Sequence, residues 1–285
     1  MSLKVIFSYI VWDMDPRIFP SIDFLRWYGL LWALGVLSAF QVMQFIYRKE
    51  NKNVEEVDTL ALYLVLGAVL GARLGHIFFY DAIYYWSHPL ELLPFRFSPE
   101  FEYTGITGLA SHGGVLGAIL ALYFYNRKYK KNFIWLIDRI MIVGVLLGSF
   151  IRFGNLMNSE MIGIETSVSW AFVFTQKDFI PRHPAQLYEA LSYLFIFTLL
   201  FVLWKSNKLK EKNGFLIGLG LILIFSFRFG IEFLKIDQVP FEEFLPLNMG
   251  QLLSIPLILT GIVFMMLSLK GKFKQVWSTS NEHIL

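Results

Sequence analysis

The chain has 285 residues, of which 56% are hydrophobic and only 16% charged, and its mean hydropathy is +0.55. Soluble domains carry about 25% charged residues, so a polytopic membrane protein is the class this composition favours. A net charge of +3 gives no footing for nucleic acid. The absence of cysteine excludes a disulfide framework and a cysteine metal site, so any thiol chemistry needs a thiol from a partner.

A membrane span needs about 20 mostly apolar residues. Taken in chain order, the sequence predicts seven spans, at 24–47, 59–80, 112–126, 133–153, 184–204, 214–234 and 249–269, in one integral domain of all-α class. The N-terminal stretch carries no small-residue cleavage site and reads as no signal peptide. The third span is the shortest. The two longest connections, 81–111 and 155–183, are rich in proline, aromatic and polar residues. The connections 48–58, 127–132 and 205–213 and the tail from 270 together hold fourteen Lys and Arg, against six on the opposite side. Basic connections face the cytoplasm, so the N-terminus is expected outside and the C-terminus cytoplasmic.

That orientation assigns a depth to each polar residue. Arg26 and Tyr28 open the first span, and His112 opens the third. Arg152 closes the fourth, Tyr188 and Glu189 open the fifth, and Arg228 and Glu232 close the sixth. All of these, with Arg73 in the second span, belong to the outer leaflet, whereas Asp138 and Arg139 belong near the inner end of the fourth. A charge at mid-bilayer costs about 2.5–3.5 kcal/mol on insertion scales, so such a gathering needs partners, water or ligand to offset it. Each residue also has a plainer reading. Arg26 suits snorkelling to the headgroups, and Arg228 and Glu232, four residues apart on one helix face, suit a structural ion pair. Asn155, Asn158 and Glu160 suit a helix exit. Ser111 suits a helix cap, beside His112, Gly113 and Gly114 as a turn. Their shared depth favours a common site. Guanidinium groups bind phosphate bidentately and stay charged, so an outward-opening pocket for an anionic lipid headgroup is expected. Gly113 and Gly114 are candidates for close backbone approach to a ligand. Gly67, Gly71 and Gly75 give small-xxx-small spacing for tight helix packing.

At these same residues the sequence resembles the prolipoprotein diacylglyceryl transferase family. The family signature is similar to Gly-Arg-x-x-Asn-Phe-x-Asn-x-Glu-x-x-Gly, and Arg152, Asn155, Asn158, Glu160 and Gly163 match it in spacing. Ile151 and Leu156 depart from it, and Ile164 follows Gly163 where the family often has a basic residue. Further agreeing blocks are RWYGL at 26–30, GARLG at 71–75, HGG at 112–114, RHPAQLYEA at 182–190, RFGIEF at 228–233 and GQLLSIP at 250–256. The resemblance implies a transferase in the bacterial inner membrane with its active site toward the outer leaflet. The implied reaction moves diacylglyceryl from phosphatidylglycerol, a membrane lipid, to the lipobox cysteine of a preprolipoprotein, with no metal or organic cofactor.

On that reading Arg152 and Arg228 grip the phosphate and the departing glycerol phosphate, and His112 is the expected general base, with headgroup orientation as its alternative role. Tyr28, Asn155, Asn158, Glu160, Gly163, Gly113 and Gly114 are expected to shape the substrate site, and Glu232 to hold Arg228. A transporter of an anionic or lipid-like substrate is the main rival, since intramembrane charges also mark transport pathways. A seven-helix receptor and an intramembrane hydrolase fit less well. The chain shows neither a Gly-x-Ser-x-Gly elbow nor a His-Glu-x-x-His pair.

Overall fold

The computed structural model describes residues 9–22, 24–79, 82–92, 95–96, 101–103, 108, 110–206, 212–236 and 246–273. Lys4, Lys208, Lys210 and Lys274, which contribute to the loop-charge reading, and much of the 81–111 connection lie outside them. Eight helices are seen among the described residues: α1 (Trp27–Lys49), α2 (Glu55–Phe79), α3 (Ala82–Ser87), α4 (Ser111–Tyr129), α5 (Phe133–Met157), α6 (Ala185–Lys205), α7 (Phe215–Glu232) and α8 (Met249–Leu269). The long helices are predominantly apolar runs. In α2, Leu62, Leu66, Leu70 and Leu74 recur every four residues and all stand exposed, a stripe suited to lipid rather than water.

Six helices, α1, α2, α5, α6, α7 and α8, are long and apolar enough to cross a membrane. The helix at the expected third span, α4, has 19 residues, is diluted by glycines and carries Asn126, Arg127 and Lys128 in its last turn. The described chain is predominantly helical. This agrees with the expected all-α class; five short strands are also seen among the described residues, β1 (Ile10–Trp12), β2 (Phe95–Arg96), β3 (Glu102–Tyr103), β4 (Phe172–Phe174) and β5 (Pro181–Arg182). Contacts group the chain into two compact units, one of residues 1–43 and 134–285 and one of residues 44–133.

In the smaller unit, α2 and α4 cross with their backbones nearly touching. A methyl group on Gly67, Gly71 or Gly75 would run into Gly113 or Gly117, so only glycine permits this approach. Beyond α2, the Arg73 guanidinium donates to the Glu91 carbonyl at 2.8 Å and lies 5.0 Å over the Tyr85 ring. It therefore ties the segment after α2 back onto the helix.

In the larger unit, α7 and α8 are close neighbours at Gly218 and Gly261, where an added Cβ on Gly218 would lie 2.8 Å from the Gly261 carbonyl oxygen. α1 meets α5 at Gly35, against Phe150. Asp138, fully buried on α5, accepts from the Gly214 and Ile217 N–H groups at 2.7 and 2.8 Å. It satisfies orphan donors at the start of α7, which has no cap side chain of its own. Arg139 beside it is 3.6 Å from Asp138 and stacks on Trp135. α8 starts with a capping box between Asn248 and Gln251.

A three-stranded sheet in the order β1-β4-β5 lies beyond the helix ends, with β1 parallel and β5 antiparallel to β4. Its apolar face packs Phe172 and Phe174 onto Leu156, Ile162, Leu187 and Trp12, and the Trp12 indole donates to the Leu156 carbonyl at 3.1 Å. The sheet thus holds the end of α5 and the start of α6 in register.

Candidate functional site

The site grows out of the last two turns of α5. The helix runs to Met157, past the predicted end at 153, so Arg152 and Asn155 stand one turn apart on a helical face. It stops in a Schellman turn: Ser159 takes a left-handed φ of 51°, its N–H bonds the Leu156 carbonyl at 3.0 Å, and the Glu160 N–H reaches back to Asn155 at 2.9 Å. Met161 is also left-handed, at φ 56°. Two non-glycine residues in this region within three positions cost backbone energy, which the surrounding bonds offset. The turn folds Glu160 back over the helix end. Its two carboxylate oxygens accept from the Asn155 and Asn158 amides, each at 3.2 Å, and the Asn155 carbonyl oxygen accepts from Arg152 at 3.2 Å.

Gly163 secures the other side of this loop. Its N–H bonds the His183 carbonyl at 2.9 Å, and the next residue bonds Leu234. A Cβ at Gly163 would lie 2.5 Å from the His183 oxygen and 2.6 Å from the Leu234 oxygen. The glycine is required because three chain segments converge there. Those segments bring α6 and the end of α7 to the signature loop.

An ion network forms where they meet. Glu189 on α6 is fully buried. Its carboxylate takes Arg152 at 3.0 Å and Lys235 at 2.7 Å, with Arg228 4.0 Å away. Glu232 takes Arg228 at 3.2 Å and Lys235 at 3.0 Å, and the Asn248 amide donates to it at 3.4 Å. Arg152 also hydrogen-bonds the Tyr193 hydroxyl. Gly250 makes room for the Glu232 carboxyl, which a Cβ there would meet at 2.5 Å. The Tyr28 ring packs on Gly154 and lies within electrostatic reach of Glu160 and Arg152.

The cations in this network differ in access. The Lys235 side chain is 2% exposed, whereas those of Arg152 and Arg228 are 18% and 27% exposed. Lys235 therefore neutralises the two carboxylates from within, and the guanidiniums keep an open edge to meet an anion. Three cations surround two buried carboxylates; Glu160 stands exposed at the rim, held by amides. With Glu160 counted, three cations meet three carboxylates, so the cluster is charge-compensated and strands no buried charge.

Arg152, Asn155, Asn158, Glu160, Arg228, Glu232 and Tyr28 are thus brought together. His112, Gly113 and Gly114 belong to the smaller unit, where His112 stands exposed on the first turn of α4, whose N-cap position falls on Ala110. Gly113 is occupied in helix packing against Gly71 and Gly75, and Gly114 lies against Ala68 and Ala72. Sequence reading treats Lys235 only as a loop charge and does not single out Tyr193, Gln186 or Asn248. The signal for Lys235 is its place three residues after Glu232, one further turn along the face of Arg228. Among the described residues, no three His, Cys, Asp or Glu side chains group so as to hold a metal ion.

Long apolar helices carrying a charge-compensated cluster of guanidiniums, an ammonium and carboxylates define the class of multi-pass membrane proteins. The model of the family described as prolipoprotein diacylglyceryl transferase matches residues 17–267, and the chain belongs to that family. Similar relatives carry the name phosphatidylglycerol–prolipoprotein diacylglyceryl transferase. One from Bacteroides fragilis is 46% identical, covering 94% of this chain and 97% of its own. One from Tolumonas auensis is 45% identical, covering 92% and 99%, and one from Porphyromonas gingivalis is 37% identical, covering 94% and 98%.

Proposed function

We propose that this protein transfers the diacylglyceryl group of phosphatidylglycerol to the cysteine thiol of a lipobox-containing preprolipoprotein, the first step of lipoprotein maturation. The observation that carries the reading is the pair of partly open guanidiniums, Arg152 and Arg228, braced from behind by Glu189, Glu232 and the enclosed Lys235. The thiol sulfur attacks the glycerol carbon that bears the phosphate. The C–S bond forms as the C–O bond breaks, and the bonding pair leaves with glycerol phosphate. The two arginines take up the charge that grows on the departing phosphate. The thiol proton goes to a base, and that role falls to the His112 imidazole, whose ring nitrogen can accept a proton. Tyr28, Asn155, Asn158 and Glu160 shape the headgroup site. Gly163 and Gly113 serve through backbone packing, and Gly114 stands beside His112.

The chain works in the bacterial inner membrane, with α4 as a seventh span supported by its glycine-tight crossing with α2. The N-terminus lies outside and the C-terminus in the cytoplasm, as the loop charges favour, and the site opens to the outer leaflet. Reconstituted protein given phosphatidylglycerol labelled in the diacylglyceryl part and a lipobox peptide tests the reading. Label appearing on the peptide cysteine as a thioether is expected. Label that crosses the membrane without joining the peptide would instead indicate transport.

A further inference from the structure

Gln186 lies on the first turn of α6, fully enclosed, and neither its amide nitrogen nor its amide oxygen has a hydrogen-bond partner among the described residues. A buried amide with both ends unpaired is rare in a folded protein and points to a polar group that completes it. Gln186, Glu189 and Tyr193 follow at i, i+3 and i+7, so they share one face of α6. On that face Glu189 pairs with Arg152 and Lys235, and Tyr193 bonds Arg152. The opposite face, with Leu191, Phe195 and Val202, is exposed and apolar. Further orphaned polar atoms are Asn158 Oδ1 and Ser159 Oγ in the signature turn and Ser149 Oγ one turn before Arg152. Unpaired polar atoms therefore occur on α6 and on the α5 end, the two elements that carry Glu189 and Arg152.

An amide offers an acceptor and donors side by side. Two adjacent hydroxyls pair both of its ends, because one can donate to the oxygen while the other accepts from the nitrogen. An ammonium group would leave the amide N–H groups unpaired, and an alkyl group would leave both ends unpaired. We infer that Gln186 reads the hydroxyl-bearing end of the lipid headgroup and so selects a polyol phosphodiester over other anionic lipids. This deepens the proposed reaction and rests on it. Gln186 acts as a specificity residue, distinct from the arginines that meet the phosphate.

Phosphatidylethanol provides the matching probe, since it has the same charge and the same diacylglyceryl ester but no headgroup hydroxyl. Wild-type protein is expected to favour phosphatidylglycerol over phosphatidylethanol in kcat/KM by about tenfold or more. Gln186→Met, near in shape and apolar, is expected to abolish that preference through a rise in KM for phosphatidylglycerol, with kcat within about threefold and phosphatidylethanol turnover unchanged. Its melting temperature without added lipid is expected to hold or rise, because it removes a polar group that bonds nothing in the protein. Gln186→Leu serves as a second variant with the same expected loss of preference. Retained preference in both variants, or equal loss of activity on both lipids with a fall in melting temperature, overturns the inference, as does a wild-type protein that does not distinguish the lipids. Wild-type protein that uses neither lipid refutes the underlying reaction, and the headgroup inference falls with it.

Discussion

Lys235 Nζ lies 2.7 Å from Glu189 Oε1, and both side chains are closed to solvent. The same ammonium is 3.0 Å from Glu232 Oε1, so a single lysine bridges carboxylates from α6 and α7. Removing it takes one cationic partner from each of two buried carboxylates, leaving Glu189 with Arg152 and Glu232 with Arg228. Lys235→Met is therefore expected to cost about 3–5 kcal/mol of stability, the range for breaking a buried pair from one side. Lys235→Arg is expected to recover most of it. Thermal unfolding of the purified protein in detergent, followed by fluorescence, measures both.

Asp138 does comparable work at the other end of the larger unit, with no part in the chemistry. It accepts from two N–H groups at the start of α7, where Gly214 supplies no side chain. Asp138→Ala is expected to lower stability by about 1–2 kcal/mol, as loss of a helix cap does. The transfer rate below the melting transition is expected to stay at the wild-type level.

The α2–α4 crossing makes a steric prediction. The space over Gly71 is filled by the Gly113 carbonyl and Gly117. Gly71→Val is expected to destabilise the smaller unit by about 1–3 kcal/mol or more, since backbone cannot yield as a side chain does. Gly144, which meets nothing within 4 Å, should tolerate alanine. Yield of monodisperse protein and melting temperature distinguish the two variants.

A pH dependence follows from the loop that carries the signature to α6. Partial burial holds the His183 imidazole below its ordinary value of 6.5, and Arg182 hydrogen bonds hold the Asp178 carboxyl below 3.8. Both groups bind protons more readily when unfolded, so each contributes stability above its unfolded value and loses it as the pH falls. Stability is expected to be level above about pH 7 and to decline below about pH 6.5 as unfolded His183 takes up its proton. A second decline is expected below about pH 4 from Asp178. In a melting series from pH 8 to about pH 2.5, His183→Gln should remove the first limb alone.

Much of this protein is legible in its sequence. The six strongly apolar helices announce themselves by length and hydropathy, and Arg152, Asn155, Asn158 and Glu160 by signature spacing. Gly71 and its neighbours are read correctly as packing residues because small-xxx-small spacing states a local geometry. Gly113 and Gly163 stand between backbones, a placement that residue type alone does not distinguish from one at a ligand. The three-stranded sheet is hidden because its strands have two or three residues and β1 pairs with a segment about 160 positions away. Lys235 is hidden for a related reason: its burial depends on Glu189, which only tertiary packing brings to it.

The central claim is that Arg152 grips the phosphate as it departs. Its most direct test is the initial rate of glycerol phosphate release, measured together with thioether formation on a lipobox peptide, for wild-type, Arg152→Lys and Arg152→Ala proteins of equal fold. Equimolar release and thioether formation by the wild type is expected. A loss of about 10²–10³-fold in Arg152→Ala with partial recovery in Arg152→Lys would match the removal of a charge-stabilising donor. An Arg152→Ala protein that releases glycerol phosphate within threefold of the wild-type rate would contradict the account.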